Sequence, residues 1–451
     1  MSAPPPAEGP PVDAIPLVLK EGMVLLKEDL MILRQLIPSE LWRHREVFFH
    51  EGMRMVVGGC HRRYPTAGFY RRATEKFAGQ SKLDDDQNLL GHTAGLPFPP
   101  DGIDAEDEDA ALRWAWNVQY RYRGAGPRGK FRVVDFPSSL GSVQTYEGTF
   151  FLIQASERAD LAEQNYEIAE KGDDLWIWGG EFDEPFDTRG LAWRQYRPDK
   201  SRRRYNQPDD IFVYVPTMRK MRRAAATWVD GLYSPRYAVS GDAGGGGLVF
   251  GDPVSGTGGA INPTAGLSAA VSESTRRGFE GMALRPNAYI WRYHGSRTVL
   301  APLNGSRPGY PIEDERNFGT SGLSVASDRW DIRFAVVIEG ALKREGQDVR
   351  TLTIYVDYQT QQPLYWITRT GRRRLLDIGV LVHRFSGDMQ EYPEWPGGVP
   401  ANVFEPVAAS FYNALAGGGG WRRESYDAIS IPYKQAELRR LTASERLDRG
   451  H

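Results

Sequence analysis

The sequence predicts a mainly β protein of the α+β class, built on antiparallel strands. From about residue 130 onward, short runs of alternating side chains follow one another, and turns rather than long helices separate them. The chain has 451 residues, of which 12% are aromatic, so one large domain with a sizeable core is feasible. Together these observations favour a single many-stranded antiparallel sheet.

Two helices are expected to pack on this sheet. Apolar residues recur at helical spacing over Leu17–Leu36, and Pro38 follows. A second helix is predicted over Ala110–Tyr122, because acidic residues precede it and Gly124 follows. Residues 46–59 between the two are predicted to form a strand.

The domain organisation is simple. Residues 1–12 are rich in proline and are predicted to be disordered, and residues 13–436 should form a single domain. Glycine and serine crowd residues 240–268, which we interpret as a surface loop or lid. Residues 437–451 are predicted to be a polar C-terminal tail.

The stretch Asp209–Ala225 raises the question of ligand binding. Its residues 211–215 alternate, yet both faces of the predicted strand are apolar, as in a strand covered on two sides. Pro216 cannot donate to a sheet ladder, so the strand should end there or lie at an edge. Cations follow at once, and we expect Arg219, Arg222 and Arg223 to lie at the sheet margin.

Composition and motifs exclude several classes of protein. A net charge of −2 argues against a nucleic-acid binder, and Cys60 is the only cysteine, so no internal disulfide is possible. No apolar run approaches the length of a membrane-spanning helix. Catalytic and nucleotide-binding motifs are absent from the sequence, so we expect neither enzymatic activity nor a cofactor.

Two weaker candidate sites can also be interpreted as ordinary solvent-exposed surface. His44, Glu46 and His50 have the spacing of metal ligands on one strand face, although solvent-facing side chains are the simpler interpretation, and no metal is expected. Three acids, Asp173, Asp174 and Glu181, could hold calcium or supply the carboxylate pair of a hydrolase acting on a hydrophobic or carbohydrate substrate.

Aromatic residues on the predicted strands are the feature of the sequence that indicates ligand binding. Most such side chains belong to a core, but large amphipathic rings on the inner face of a curved sheet also line hydrophobic pockets. We therefore predict an apolar cavity whose mouth carries the three arginines, in contact with an anionic head group or an acidic partner surface. Pairing of these arginines with Asp199, Asp209 and Asp210 is the alternative. The predicted ligand-binding residues are Trp178, Tyr214, Trp291, Trp366, Arg219, Arg222 and Arg223.

Four segments, in order along the chain, resemble the bacterial family catalogued as domain of unknown function 1329. They are Thr93–Gly124, with its G-L-P-F-P and R-Y-R-G motifs, Asp209–Ala225, Arg276–Asn304 and the strand block Arg329–Gly379. The third keeps the aromatic Y-x-W pattern. The sequence departs from the family at Lys220 and Met221, where arginine and valine are usual.

The resemblance implies a fold and a function. The family is grouped with LolA- and LolB-like carriers of outer-membrane lipoproteins, whose curved antiparallel sheet is an unclosed barrel covered by helices around an apolar cavity. The resemblance implies a non-enzymatic periplasmic carrier of a lipid, an acyl chain or a lipoprotein anchor. A resistance-nodulation-division exporter or an outer-membrane protein is the implied partner, and a ligand-free envelope scaffold is the alternative. The N-terminus shows no signal-peptide pattern, so export rests on the resemblance alone.

Overall fold

The computed structural model describes residues 19–136, 143–168, 171, 173–216, 219–223, 231–232, 238–239, 248–249, 280–305, 318–344, 350–414, 420–443 and 447. The proline-rich segment 1–12 lies outside these residues, as does the predicted glycine-rich loop 240–268 apart from Leu248–Val249. Within the described ranges, none of the helices is long and apolar enough to cross a membrane.

Strands dominate the described part of the chain. They are β1 Val24–Leu25, β2 Met55–Cys60, β3 Lys82–Leu83, β4 Leu89–Leu90, β5 Arg128–Phe136, β6 Gln144–Gln154, β7 Asp174–Glu184, β8 Ala192–Pro198, β9 Asp210–Val215, β10 Lys220–Arg223, β11 Ala238–Val239, β12 Leu248–Val249, β13 Tyr289–Ala301, β14 Arg329–Leu342, β15 Thr351–Asp357, β16 Pro363–Arg369, β17 Leu375–Phe385, β18 Phe404–Asn413 and β19 Gly420–Ile429. The α-helices are fewer and mostly short. They are α1 Leu30–Leu33, α2 Ser39–Arg43, α3 Arg45–Phe48, α4 Gly68–Lys76, α5 Ala110–Tyr120 and α6 Gln435–Thr442.

Fifteen of the strands form one sheet. Neighbours pair antiparallel in the order β13, β14, β15, β16, β17, β18, β19, β5, β6, β7, β8, β9, β10. The β1–β2 pair joins the sheet through a parallel pairing of β2 with β14, which makes the sheet mixed. No pairing among the described residues joins β13 to β10, so the sheet is not closed. The predicted fold class, mainly β with an unclosed barrel-like sheet, is confirmed.

Helix α5 lies inside the curve of this sheet. All of its residues except Arg113 are buried. Its side chains belong to one apolar cluster with strands from both ends of the sheet, for example Trp291 of β13 and Val213 of β9. Because the two ends of the sheet contribute to one cluster around the same helix, the sheet must curve around α5. This helix confirms the prediction made for Ala110–Tyr122.

A second apolar layer covers the other face of the sheet. Along β14, Val336 and Ile338 point to the α5 side, whereas Ala335 and Val337 belong to a separate cluster that includes Leu33 of α1. Strands with both faces covered need apolar residues on both faces, which explains why β14 is buried almost throughout.

The predicted helix over Leu17–Leu36 is wrong over most of its described length. Gly22 has a φ of +82°, a left-handed conformation that stops a right-handed helix before it begins. Leu25 then pairs with Met55 in the sheet, a short 3-10 helix covers Lys27–Asp29, and Leu30–Leu33 forms one short α-helix. The helically spaced leucines that the structure describes are buried at Leu19, Leu30, Leu33 and Leu36, but Leu26 is exposed.

Two other boundaries differ from the expectations. Residues 46–59 are predicted as one strand. In the structure the first of them complete helix α3, in which Phe48 is buried, and strand β2 begins only at Met55. The polar tail predicted from residue 437 begins inside α6, whose Leu438 is buried against the outer side of β6–β8. A short amphipathic helix with one buried stripe is therefore part of the domain surface.

Candidate functional site

An aromatic pocket opens on the inner face of the sheet where β5, β6, β7, β8 and β19 meet. The empty space between its walls, including the open mouth, is about 800 Å³, and the centre of a water molecule can move through about 80 Å³ of it. We call this free space the slot. The residues that line it are Phe131, Val133, Asp135, Tyr146, Phe150, Trp178, Phe182, Trp193, Leu232, Glu280, Met282, Arg422, Glu424 and Tyr426.

Strand alternation and register assemble the pocket walls. On β5, every second residue from Phe131 to Asp135 faces the slot. Strand β19 lies antiparallel to β5, and Tyr426 is the direct neighbour of Phe131. Next along the strands, Glu424 opposes Val133. Side chains on directly opposed residues lie close together, so these two strands form one continuous wall.

Glycines on the inner face make room for the largest rings. A Cβ atom at Gly180 would lie 2.5 Å from Cη2 of Trp193, and one at Gly148 would lie 2.9 Å from the ring of Phe131. Both separations are well below van der Waals contact. Each ring therefore lies over a glycine of the neighbouring strand, which keeps the aromatic wall close to the sheet.

The aromatic rings pack against one another around the slot. The ring of Trp178 has its centroid 5.7 Å from that of Phe150 and 6.3 Å from that of Trp193. Trp193 in turn lies 5.3 Å from Phe182, and Phe150 lies 5.3 Å from Tyr426. Separations of this size are typical of favourable tilted and edge-to-face ring pairs. The wall is thus a connected aromatic cluster.

One end of the pocket is polar and rich in acids. Arg422 is buried there and lies 2.8 Å from Glu280 and 2.7 Å from Glu424, while Asp135 is its direct neighbour on β5. Burial lowers the pKa of Arg422, but the charges of Glu280 and Glu424 outweigh that effect and raise it overall. Burial and the charge of Glu424 raise the pKa of Tyr426, whose hydroxyl donates to that carboxylate.

The four predicted aromatic ligand residues lie in different places. Trp178 lines the pocket. Trp291 and Trp366 belong to the same buried cluster, but Trp291 donates to the Pro286 carbonyl and Trp366 packs on Phe411, away from the slot. Tyr214 is half-buried and lies on the face of β9 opposite Val213. Contact of these residues with a ligand remains a prediction.

The predicted cation cluster lies at the margin of the sheet. Pro216 ends β9, the chain turns back through Arg219 with a φ of +48°, and β10 pairs with β9 as the last strand of the sheet. Arg219 and Arg223 are exposed, and Arg223 forms an ion pair with Asp210. Charged side chains on a sheet edge also discourage pairing with other chains.

The weaker candidate sites do not assemble. Asp174 and Glu181 lie near opposite ends of β7, roughly 20 Å apart at the usual rise per residue, which is too far for a hydrolase carboxylate pair. The ring of His44 packs on Tyr412, whereas Glu46 pairs with Lys27. Among the residues that the structure describes, no three histidine, cysteine or acidic side chains could hold a metal ion.

Several pocket residues were missed from the sequence. Phe131, Val133 and Asp135 alternate within one strand, and Arg422, Glu424 and Tyr426 do the same in another. An alternating stretch that mixes aromatic residues and charges on one face is a signal that could have drawn attention to them. The sequence of either strand alone does not indicate that the two strands pair.

The comparisons with known proteins agree with the predicted resemblance. Residues 45–240 match the model of a family described as a protein of unknown function, DUF1329. No curated protein matches the chain.

Among solved structures, the chain is similar to a Vibrio parahaemolyticus domain described as outer-membrane lipoprotein-sorting, with 12% identity, a TM-score of 0.41 and coverage of 76% of this chain and 100% of that one. It is similar to a DUF1329 protein from Desulfovibrio piger, with 12% identity, a TM-score of 0.39 and coverage of 73% and 95%. A LolA superfamily protein from Nitrosomonas europaea shows 11% identity, a TM-score of 0.32 and coverage of 75% and 98%.

Proposed function

We propose that this chain, whose residues 45–240 match the DUF1329 family, is a non-enzymatic binding protein that carries a hydrophobic ligand such as a lipid, an acyl chain or a lipoprotein anchor. The observation that supports the proposal is the aromatic pocket on the inner face of the curved sheet. Its walls are mostly aromatic and apolar, as a site for a hydrophobic ligand requires.

The energetics of such a pocket favour carriage without catalysis. Each methylene group moved from water into an apolar site contributes roughly 0.8 kcal/mol. A ligand tail of several methylenes can therefore be held tightly enough to cross an aqueous gap. The periplasm is the proposed compartment, and an envelope exporter of the resistance-nodulation-division type or an outer-membrane protein is the proposed partner. The resemblance in sequence supports these last two points.

A pocket-blocking variant tests the proposal. Val133 lines the slot and is partly buried, so Val133→Trp should fill it. Val143 lies just before β6 and is 57% exposed, which makes Val143→Trp the matched control. The three proteins would be purified from cells and analysed by native mass spectrometry and organic extraction. We expect a bound apolar compound in the wild type and in the control, and none in Val133→Trp.

The same measurement separates the carrier from a scaffold. A scaffold without a ligand would show no bound compound in any of the three proteins and no uptake of fatty acid added afterwards. If Val133→Trp is folded by circular dichroism and still carries the bound compound, the binding site lies outside the aromatic pocket. That result would contradict the proposal.

A further inference from the structure

A second, smaller cavity lies beyond the aromatic pocket on the inner side of the sheet. About 20 Å³ of it is open to the centre of a water molecule. We call it the arginine cavity, and it is lined by Arg121, Arg123, Pro127, Leu152, Met282, Gln362, Leu381, His383, Phe404 and Pro406. Among the described residues, its lining contains three basic side chains, Arg121, Arg123 and His383, and no acid. The proposed function assigns no role to this cavity.

The two arginines follow helix α5 directly and are buried, with exposed fractions of 3% for Arg121 and 8% for Arg123. Arg121 donates through Nε to Gln362 and through its other nitrogens to main-chain carbonyls, including that of Val118. Arg123 donates to the carbonyls of Met282 and Gln119. Within the described residues neither guanidinium forms an ion pair with an acid.

Buried cations without counter-ions are costly. Burial lowers the pKa of Arg123 to about 10, and burial together with the charge of Arg123 lowers the pKa of Arg121 well below its ordinary range. Carbonyl dipoles at the end of α5 offset part of this cost. An anion between the two forks would offset more, because bidentate pairing with carboxylate or phosphate is strong where water is excluded.

A neighbouring histidine supplies an unused polar atom. His383 lines the cavity, is 2% exposed, and its Nδ1 is a buried atom without a hydrogen-bond partner in the structure as described. Burial and the charge of Arg121 lower the pKa of His383 to about 3, so its ring is neutral at ordinary pH. A neutral imidazole can donate from Nδ1 to an anion in one of its two tautomers.

The arginine cavity continues the line of the aromatic pocket. Phe150 of β6 lines the pocket, and Leu152, two residues further on the same strand face, lines the cavity. Two residues along a strand span about 7 Å. Met282 lines both spaces, so this residue lies at their junction. Methionine is unbranched and flexible, so its side chain can adapt to a ligand that occupies both spaces.

We propose that Arg121 and Arg123 bind the anionic head group, a carboxylate or phosphate, of an amphiphile whose apolar tail occupies the aromatic pocket. This inference rests on the proposed function. It also gives the ligand a direction: among the described lining residues, the far end of the pocket carries Asp135, Glu280 and Glu424 beside Arg422, which is a poor environment for an anionic head. The head therefore lies at the arginine cavity and the tail points away from it.

Ligands that share one tail and differ in their head test the inference on the wild-type protein. Dodecanoate, dodecanol and dodecyltrimethylammonium would be titrated below their micelle concentrations, with acetate as a head group without a tail. Quenching of tryptophan fluorescence and isothermal titration calorimetry give the dissociation constants. We expect dodecanoate to bind at least about tenfold more tightly than dodecanol, the size of one charge-assisted hydrogen bond.

Each outcome has one meaning. If dodecanol or dodecyltrimethylammonium binds as tightly as dodecanoate, the anion site is wrong while the hydrophobic carrier stands. If acetate alone binds as tightly as dodecanoate, the cavity holds a free anion, and the shared channel is wrong. If no compound with a dodecyl tail binds, the proposed function fails, and this inference fails with it.

Variants then locate the head group. Arg123→Gln should bring the affinity for dodecanoate down to that for dodecanol, and Arg123→Lys, which keeps the charge but not the fork, should fall between. If Arg123→Gln does not fold, Met282→Trp offers an independent check, because it closes the junction. It should weaken dodecanoate about tenfold or more. Unchanged affinity for dodecanoate in a folded Arg123→Gln or Met282→Trp protein would overturn the inference.

Discussion

Arg197 donates through Nε and one Nη to the two carboxylate oxygens of Asp209, at 2.7 Å and 2.9 Å, and neither side chain is more than 1% exposed. The same carboxylate also accepts from Arg285 at 2.9 Å. This buried acid, the residue before β9, thus links β8 to the segment before β13.

Asp209→Asn should destabilise the protein strongly, by roughly 3–5 kcal/mol in the free energy of unfolding, because it removes the anion that two buried arginines share. The adjacent residue is the control. Asp210 pairs with Arg223 in an exposed position, so Asp210→Asn should cost about 1 kcal/mol or less. Urea unfolding followed by circular dichroism measures both. Equal losses in the two variants would show that the buried cluster is not a structural link.

Gly180→Ala should distort the aromatic pocket. The new methyl group would lie 2.5 Å from Cη2 of Trp193 and equally close to the Thr149 carbonyl oxygen, so the ring and the strand must both shift. Overpacking of this kind costs about 1–3 kcal/mol. Gly371→Ala is the control, since a Cβ atom there meets nothing within 4 Å. Thermal unfolding and tryptophan fluorescence should change for Gly180→Ala alone, and an unshifted spectrum would contradict the packing of Trp193.

Glu405 should make stability fall as the pH rises. It is buried, and burial raises its pKa to about 7 from an ordinary 4.5. The folded state therefore holds a proton that the unfolded state releases between these values, so the free energy of unfolding declines from about pH 4.5 to about pH 7. The contribution is on the order of 3 kcal/mol.

Glu405→Gln should remove that part of the pH dependence, because the amide keeps the partners Tyr392 and Ser430 without a titrating proton. Exposed Glu394 provides the control, and Glu394→Gln should leave the slope unchanged. Denaturant unfolding at a series of pH values gives the two curves. A decline as steep in Glu405→Gln as in the wild type would assign the slope to other groups.

The cation cluster at the sheet edge should act in binding rather than in folding. Replacing Arg219, Arg222 and Arg223 with glutamine should weaken binding to vesicles that contain anionic lipid by about a hundredfold, at roughly 1 kcal/mol for each charge. The melting temperature should barely change, since the ion pair of Arg223 with Asp210 is exposed.

A second arginine triplet controls for charge alone. Arg372, Arg373 and Arg374 are exposed in the turn between β16 and β17, and their replacement with glutamine removes the same net charge. Vesicle sedimentation should show the larger loss for the edge cluster. If both triplets behave alike, binding depends on net charge only. If the edge variant melts several degrees lower with unchanged binding, the cluster is structural.

Local patterns in the sequence predicted the elements that local forces decide. Helix α5 was predicted from its acidic start and Gly124, and the antiparallel sheet from alternating runs that turns separate. The pattern over Leu17–Leu36 failed because Gly22 takes a left-handed conformation and Val24–Leu25 then pairs with β2, which buries Leu25 and leaves Leu26 exposed. In this segment, pairing with a strand that is distant in the sequence outweighed the local preference for helix.

The candidate site was only partly predictable for a related reason. Alternation indicated that both faces of β9 are apolar, but not which face lies inside the curve, and Tyr214 is on the opposite side from Val213. Trp178, one of the predicted residues, lies in the pocket wall, whereas Phe131 and Tyr426 become neighbours only through the register of β5 on β19. No periodicity within either strand reveals that register.

The pairing of β19 with β5 has a consequence for biosynthesis. Strands β6 to β18 all lie between these two in chain order, so a nascent chain makes Phe131, Phe150 and Trp193 long before it makes Tyr426. Until β19 arrives, β5 is an open strand edge with an aromatic face beside it, the kind of surface that invites pairing with other chains. A ribosome-bound chain that stops short of Gly420 lacks the wall opposite β5, so the aromatic pocket is complete only after β19 has been made.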